Sequence, residues 1–471
     1  MIKFGTGGWR AIIGEDFTKN NLIILSQAIA NLIKDDKGQD RGFVIGYDRR
    51  FLSDKAARWF SEILIGNGIK VFFIEKEAPT PLIMFSVKTY NTCYGIAVTA
   101  SHNPADYNGI KIFTEGGRDA TEEVTKKIET YIENNSRDMM LSISFEDGLK
   151  SGMIQIIDPM NDYIGTIIAM IDTQAIKSKK LKVLLDPMFG VSKTSLQTIL
   201  VTARCEVDII NDRHDTLFGG RLPSPSSQTL QRLKDMVLEK GYDIGIGTDG
   251  DADRLGIIDE KGNFIHPNSI LALLYYYLLK YKGWKGGVVR NVATTHLLDK
   301  IAGSFGEEAY EVPVGFKNIS SMMEEKAALI GGESSGGLTI RGHIKGKDGI
   351  FAASILIELL SITGKKLSDL LEEIHEQFGY FYMTEDDFKY KSSDKERLIQ
   401  LLYDEKRIPE FTYKVSSVSY VDGVKICFEN GGWIIVRFSG TEPLLRVFAE
   451  MSNENDATNI SNTMKKFLGL S

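Results

Sequence analysis

Three times between residues 42 and 337 the chain repeats one plan: apolar strand, helix, apolar strand, helix, apolar strand, then a polar loop, which in the second and third rounds contains glycine. The first round uses residues 42–47, 69–74 and 94–98 and ends in Thr99-Ala100-Ser101-His102-Asn103-Pro104. The second uses residues 181–185, 207–210 and 243–247 and ends in Thr248-Asp249-Gly250-Asp251-Ala252-Asp253-Arg254. The third uses residues 287–290, 309–312 and 328–330 and ends in Gly331-Gly332-Glu333-Ser334-Ser335-Gly336-Gly337. Strands alternating with helices predict α/β layers with parallel pairing, here repeated through plan rather than through identity. Ligands of open α/β sheets bind beyond the carboxyl ends of the strands. Units stacked side by side would bring the three loops to one cleft.

A helix is expected before the first round, over residues 19–34, because Leu22, Leu25, Ile29 and Ile33 fall on one face. After residue 374 the pattern changes. Residues 413–420, 424–428 and 433–438 run apolar or alternate, with Asp422-Gly423 and Asn430-Gly431 as hairpin turns between them. This predicts three successive mixed α/β domains of similar plan and a smaller C-terminal α+β domain with an antiparallel sheet. The expected boundaries are 1–152, 153–257, 258–371 and 372–471, in keeping with domains of about 100–150 residues each.

A formal charge of −7 argues against a nucleic-acid surface. Cys93, Cys205 and Cys427 lie far apart with no metal-ligand spacing, which points to a reducing compartment. The N-terminal residues lack a signal-peptide pattern, and the apolar stretch 270–279 is too short for a membrane span. A cytoplasmic protein is expected, partnered by neither membrane nor nucleic acid.

Asp249, Asp251 and Asp253 place three carboxylates at alternate positions straight after a strand. Such acids repel one another unless a cation sits among them, and hard divalent cations take oxygen ligands. A calcium loop between two helices is the competing reading, since Glu260 stands at the twelfth position. Arg254, however, occupies the place where that loop needs glycine, and the flanks read as strands. Arg437-Phe438-Ser439-Gly440-Thr441-Glu442-Pro443 joins a forked cation to two hydroxyls and a glycine turn, the makings of a phosphate cradle or of a plain hairpin. Gly5-Thr6-Gly7-Gly8-Trp9-Arg10 converges backbone donors before a cation. Glu333 could accept from sugar hydroxyls, and His343 to Gly349 adds His343, Lys345 and Lys347. Lys111, ten residues beyond Ser101, either faces the site as an acid/base or faces solvent.

Four of these stretches together resemble the α-D-phosphohexomutases, the phosphoglucomutase/phosphomannomutase family: Thr99-Ala-Ser-His-Asn-Pro, Asp249-Gly-Asp-Ala-Asp-Arg, Gly332-Glu-Ser-Ser-Gly and Arg437-Phe-Ser-Gly-Thr-Glu-Pro, in that order over essentially the whole chain. The resemblance implies four domains around a central cleft, the last acting as a lid. It implies a reversible transfer of a phosphoryl group between the 1- and 6-positions of a hexose phosphate, through a phosphoserine at Ser101 and a hexose 1,6-bisphosphate that also serves as activator. Asp249, Asp251 and Asp253, with a phosphoserine oxygen of Ser101, would hold one Mg²⁺, with Arg254 beside it. Arg10, His102 and Lys111 would flank the phosphoserine, Lys111 as acid/base. Glu333 with Ser334 or Ser335 would bind ring hydroxyls, and Arg437, Ser439, Gly440 and Thr441 would grip the non-reacting phosphate. Such an enzyme is expected as a monomer or homodimer.

The chain departs from the family pattern in places. Phosphomannomutase-type members carry His where Gly337 stands, which leaves His343 and Lys347 as candidates for the second acid/base. The segment 343–349 looks like that of glucose-preferring members, and the Gln that phosphoglucosamine mutases carry before the sugar-loop Ser is missing. Gly7 stands where Ser is common. Glucose 1-phosphate and glucose 6-phosphate are therefore the expected substrates, with mannose phosphates next. A Mg²⁺-dependent sugar-phosphate phosphatase and a non-catalytic sugar-phosphate sensor are the rival readings.

Overall fold

The computed structural model describes residues 2–5, 7–134, 141–390, 392–439 and 444–470. The chain forms two compact units, Met1–Ile270 with Ser335–Asp369, and Leu271–Ser334 with Leu370–Ser471.

The first unit carries two sheets. In the first, Phe43–Tyr47 pairs in parallel with Tyr94–Val98 and with Val71–Ile74, which pairs in parallel with Ile154–Ile157. Beyond Tyr94–Val98 the pairing turns antiparallel, through Tyr107–Thr114 to Trp9–Ile12. The segment between Val98 and Tyr107 is too short for a crossover helix, so the chain can only fold back on itself. The second sheet behaves alike. Ile244–Thr248 pairs in parallel with Lys182–Asp186, which pairs with Glu206–Ile209, and then turns back antiparallel through Leu255–Ile258 to Phe264–Ile265. The parallel expectation thus holds for the strands before each polar loop and gives way after it.

The helix expected first runs from Lys19 to Asp35, with Thr18 Oγ1 accepting from the Asn21 N–H at its start. Its Leu22, Leu25, Ile29 and Ile33 are buried in one core with Phe43, Phe60 and Ile96. Among the described residues no helix is long and apolar enough to cross a membrane.

The second unit holds a parallel set, with Val288–Asn291 between Ala309–Val312 and Ile330–Gly332. The last of these lies two residues further along than its apolar pattern predicts, and its ladder ends on Gly331 and Gly332, which carry no side-chain signal. The unit also holds an antiparallel sheet, in the order Tyr382–Lys389, Leu444–Met451, Trp433–Phe438, Val424–Phe428, Val415–Ser419, with helix Glu454–Leu468 against it. Both hairpin turns form where Asp422-Gly423 and Asn430-Gly431 predict them, each glycine with positive φ.

A buried seam joins the parallel set to the antiparallel sheet. Val292 and Ala293 pack with Trp433 and Ile435. Around them Arg290 forks onto Asp299 at 2.6 and 2.8 Å and reaches Glu311 at 2.5 Å. Lys425 Nζ lies 2.5 Å from Glu311, 3.0 Å from His296 Nε2 and 4.8 Å above the Trp433 ring. Glu450 accepts from Trp433 Nε1 at 2.8 Å and from the His296 N–H at 2.9 Å. Burial alone would raise the pKa of Glu311, but His296, Lys425 and Arg290 outweigh it and hold the carboxyl well below its usual range.

Candidate active site

Ser101 sits at the turn between Tyr94–Val98 and Tyr107–Thr114, fully buried and with φ of 54°. A non-glycine residue in this left-handed region is strained and persists only where its surroundings over-determine it. Arg50 does so here. Its guanidinium donates to the carbonyls of Ser101 and Asn103 at 2.6 Å each, Pro104 at 2.7 Å and Tyr107 at 3.0 Å. Asp48 anchors the other side, accepting from Thr99 Oγ1 at 2.6 Å, while Thr99 Oγ1 accepts from the Ser101 N–H at 2.8 Å. Lysine offers a point charge rather than a planar fork, so it cannot hold this set of carbonyls. Arg50→Lys is therefore expected to lower kcat about tenfold or more in a steady-state assay while the protein still folds. Wild-type kcat in that variant would show that the loop holds itself.

The hydroxyl so placed donates from Oγ to Asp249 Oδ2 at 2.9 Å. Asp249, Asp251 and Asp253 are all buried, and one oxygen from each lies within 4.8 Å of the others. Gly250 lets this loop close on Ser101, since a Cβ there would come within 2.9 Å of the Ser101 carbonyl oxygen. Lys111 is buried and reaches Asp251 at 2.6 Å and Asp253 at 2.5 Å. Thr80 donates both its hydroxyl (2.6 Å) and its N–H (2.9 Å) to Asp251. Lys347 Nζ stands 3.1 Å from Asp253, and the Arg254 N–H donates to Asp249 at 3.1 Å.

The electrostatics follow from this crowding. Burial works against the Lys111 charge, but Asp251 and Asp253 outweigh it and hold its pKa above the usual value. Lys111 therefore faces this cluster rather than solvent, and its aspartate neighbours favour its charged form. Burial, and then Asp251 and Asp253, push Asp249 well above the usual carboxylate range. His102 Nδ1 is 3.4 Å from Ser101 Oγ, a long contact, and burial followed by Arg254 and Arg10 holds its imidazole neutral. Arg10 lies on Trp9–Ile12 opposite Gly109, and its buried Nε has no hydrogen-bond partner among the described residues.

These residues fit a hard cation. The donors are all oxygen, like charges crowd together, and the buried Oδ1 atoms of Asp251 and Asp253 lack hydrogen-bond partners among the described residues.

His343 is placed differently. Its buried ring bonds Asp348 through Nε2 at 2.7 Å, beside Tyr163, whose hydroxyl donates to the same carboxylate oxygen at 2.7 Å. Asp348 in turn caps the helix Gly349–Thr363. At position 337 a Cβ would strike the side-chain stem of Lys347, so glycine leaves room there for that lysine.

In the second unit Glu333 follows Ile330–Gly332 and accepts at Oε1 from Asn291 Nδ2 and the Gly315 N–H, each at 3.1 Å. Ser334 is half-buried and Ser335 exposed. Arg437 Nε donates to Asp422 at 2.7 Å, and the Ser439 N–H to the Leu444 carbonyl at 2.8 Å. Gly440 and Thr441 lie outside the described residues.

Family models named phosphoglucomutase/phosphomannomutase match this chain in four segments, as alpha/beta/alpha domain I over residues 1–139, domain II over 161–262, domain III over 266–378 and the C-terminal domain over 398–466. The chain belongs to the phosphoglucomutase/phosphomannomutase family. It is a phosphohexomutase, an isomerase of that type. It is 31% identical over 457 residues to a phosphoglucomutase/phosphomannomutase of Thermococcus kodakarensis, covering 96% of this chain and 95% of the relative. It is 30% identical over 470 residues to a phosphoglucosamine/phosphogalactosamine mutase of Sulfurisphaera tokodaii, covering 99% and 98%. Its fold matches a solved phosphoglucomutase/phosphomannomutase family protein from Burkholderia thailandensis with a TM-score of 0.83, at 21% identity, over 98% and 96% of the two chains.

The first unit of this phosphohexomutase therefore brings together Arg10, Ser101, His102, Lys111, Asp249, Asp251, Asp253, Arg254 and Lys347, while His343 is taken up by its own buried network. Sequence reading passes over Arg50, Asp48 and Thr80. The one available signal was Asp48-Arg49-Arg50 standing straight after a buried strand.

Proposed function

We propose that this phosphohexomutase moves a phosphoryl group reversibly between the 1- and 6-positions of a hexose phosphate, with Ser101 as the carrier and a hexose 1,6-bisphosphate as the intermediate. Glucose phosphates are its preferred substrates. The observation that carries this reading is the buried Ser101 Oγ, 2.9 Å from Asp249 in a cluster that alternates carboxylates with cations.

In one direction the bond from phosphorus to Ser101 Oγ breaks as a bond from phosphorus to a sugar hydroxyl oxygen forms, and the hydroxyl proton passes to a base. The bisphosphate then turns and returns its other phosphoryl group to Ser101. Arg10 and Lys111 offset the charge on the transferring group, the main task in phosphoryl transfer. Asp249, Asp251, Asp253 and Ser101 would hold one Mg²⁺, which when bound supplies further neutralisation of the phosphoryl oxygens. Lys347 is a better second acid/base than His343, because its ammonium stands in the cluster while the His343 Nε2 is bonded to Asp348. Glu333, Ser334 and Ser335 take ring hydroxyls. Arg437, with Ser439, Gly440 and Thr441, grips the non-reacting phosphate and so orients either end of the sugar.

The glucose preference is supported by the segment 343–349 and by glycine at 337 with lysine filling its place. The 30% identity to a phosphoglucosamine/phosphogalactosamine mutase names the competitor. The test is a panel of glucose, mannose and glucosamine 1-phosphates with catalytic hexose bisphosphate. The glucose pair is expected to lead in kcat/KM by about tenfold or more. A lead for glucosamine 1-phosphate would overturn the preference, and release of inorganic phosphate matching substrate loss would overturn the mutase reading in favour of a phosphatase.

A further inference from the structure

In the second unit three strand ends meet: Asn291 closes Val288–Asn291, Val314 and Gly315 follow Ala309–Val312, and Glu333 follows Ile330–Gly332. Glu333 is tied to the other two by its bonds to Asn291 Nδ2 and the Gly315 N–H. These are carboxyl ends of parallel strands, the edge where α/β sheets hold ligands. Arg437 comes from a different layer, the antiparallel sheet, and from a strand far along the chain. One side chain links it to that edge. Asp422, at the Asp422-Gly423 turn, accepts Arg437 Nε on Oδ1 at 2.7 Å and the Val314 N–H on Oδ2 at 2.7 Å.

Both oxygens of this carboxylate are thus used by different elements. The bond to Nε fixes the plane of the guanidinium, and the bond to Val314 fixes where that plane stands against the residue next to Gly315. The chain of contacts runs from Arg437 through Asp422 to Val314, and from Gly315 to Glu333. The seam around Trp433, Lys425 and Glu311 holds the two layers behind it, so the bridge works within a rigid frame.

We propose that Asp422 is a positioning residue that sets the register between an anion-binding Arg437 and a hydroxyl-facing Glu333, so that the unit measures the span from phosphate to ring hydroxyls in its substrate. This rests on the roles proposed for Arg437 and Glu333 in the mutase reaction. Asparagine in place of Asp422 cannot satisfy both bonds, because an amide has one acceptor oxygen and its NH₂ meets a donor on the other side. The charge assistance to Arg437 is lost with it.

The test is steady-state kinetics on the full chain, with wild type, Asp422→Asn, Asp422→Ala, Arg437→Ala and the Asp422→Ala/Arg437→Ala pair, and with inorganic phosphate as a competitive inhibitor. Asp422→Asn is expected to raise KM for the hexose 1-phosphate about tenfold or more, from the loss of hydrogen bonds to a charged group. Its kcat should stay within about threefold, and the inhibition constant of inorganic phosphate should rise by less than about threefold, since phosphate alone needs no register. In the Arg437→Ala background Asp422→Ala should add less than about twofold to KM. An unchanged KM in Asp422→Asn beside a raised KM in Arg437→Ala would overturn the positioning role and leave the phosphate clamp standing. An unchanged KM in Arg437→Ala would overturn the clamp itself. Equal rises in KM and in the phosphate inhibition constant, or additive effects in the double variant, would also overturn the proposal. The isosteric Asp422→Asn carries the test if Asp422→Ala does not fold.

Discussion

Replacing Ser101 with alanine is expected to lower kcat by at least about 10⁴-fold, the scale seen when a covalent carrier is removed from an enzyme that depends on it. Intact-mass measurement should show that wild-type protein incubated with hexose bisphosphate gains one phosphoryl group and that the variant gains none. The fold should survive. The Ser101 side chain donates one bond, to Asp249, and its backbone is held by Arg50 and Thr99, which the substitution leaves in place. The stability cost is then that of one buried partner, about 1–3 kcal/mol. Mutase turnover in Ser101→Ala within tenfold of wild type would sink the phosphoserine mechanism, whatever the substrate.

Lys111→Met is expected to cost both activity and stability. The ammonium lies between Asp251 and Asp253, and all of these groups are buried. Removing one member of a buried ion network leaves its partners unpaired, at roughly 3–5 kcal/mol. That corresponds to a fall in Tm of roughly 5–10 °C for a unit of this size. Kcat should fall with it, because a cation beside the transferring group is lost. The same change makes the acidic cluster more negative. Added Mg²⁺ should therefore raise the Tm of Lys111→Met by more than it raises that of wild type, through binding to the folded state. A variant whose Tm does not respond to Mg²⁺ would argue against the three aspartates as its ligands.

The parts of this architecture that a sequence displays are those written in contiguous residues. Ser101 and the Asp249–Asp251–Asp253 triplet each sit in one short stretch after an apolar strand, so both could be read directly. Lys111 could not. It lies in Tyr107–Thr114, whose six central residues are all buried, and a strand covered on both faces gives no alternation from which to infer direction. What Arg50 and Thr80 hold is hidden for another reason: their partners stand 51 and 171 residues away, in segments that nothing local connects to them. His343 is a candidate because Gly337 stands where phosphomannomutase-type members carry His, whereas the fold bonds its Nε2 to Asp348, the residue that caps the next helix. The strand-then-loop rhythm predicted the mixed α/β plan, and the length of each loop, equally visible in the residues, decided where pairing reversed.

The seam around Trp433 bears on how members of this family can be recombined. A specificity transplant that cut near residue 371 and exchanged only residues 372–471 would part Lys425 from Glu311, and Trp433 from Val292 and Ala293. The recipient would inherit unmatched charges and a bare indole in its interior, each a recognised source of large destabilisation. That C-terminal stretch is therefore no portable cassette. The heritable block is Leu271–Ser334 together with Leu370–Ser471, and chimeras that respect it should fold where cuts at the apparent domain border fail.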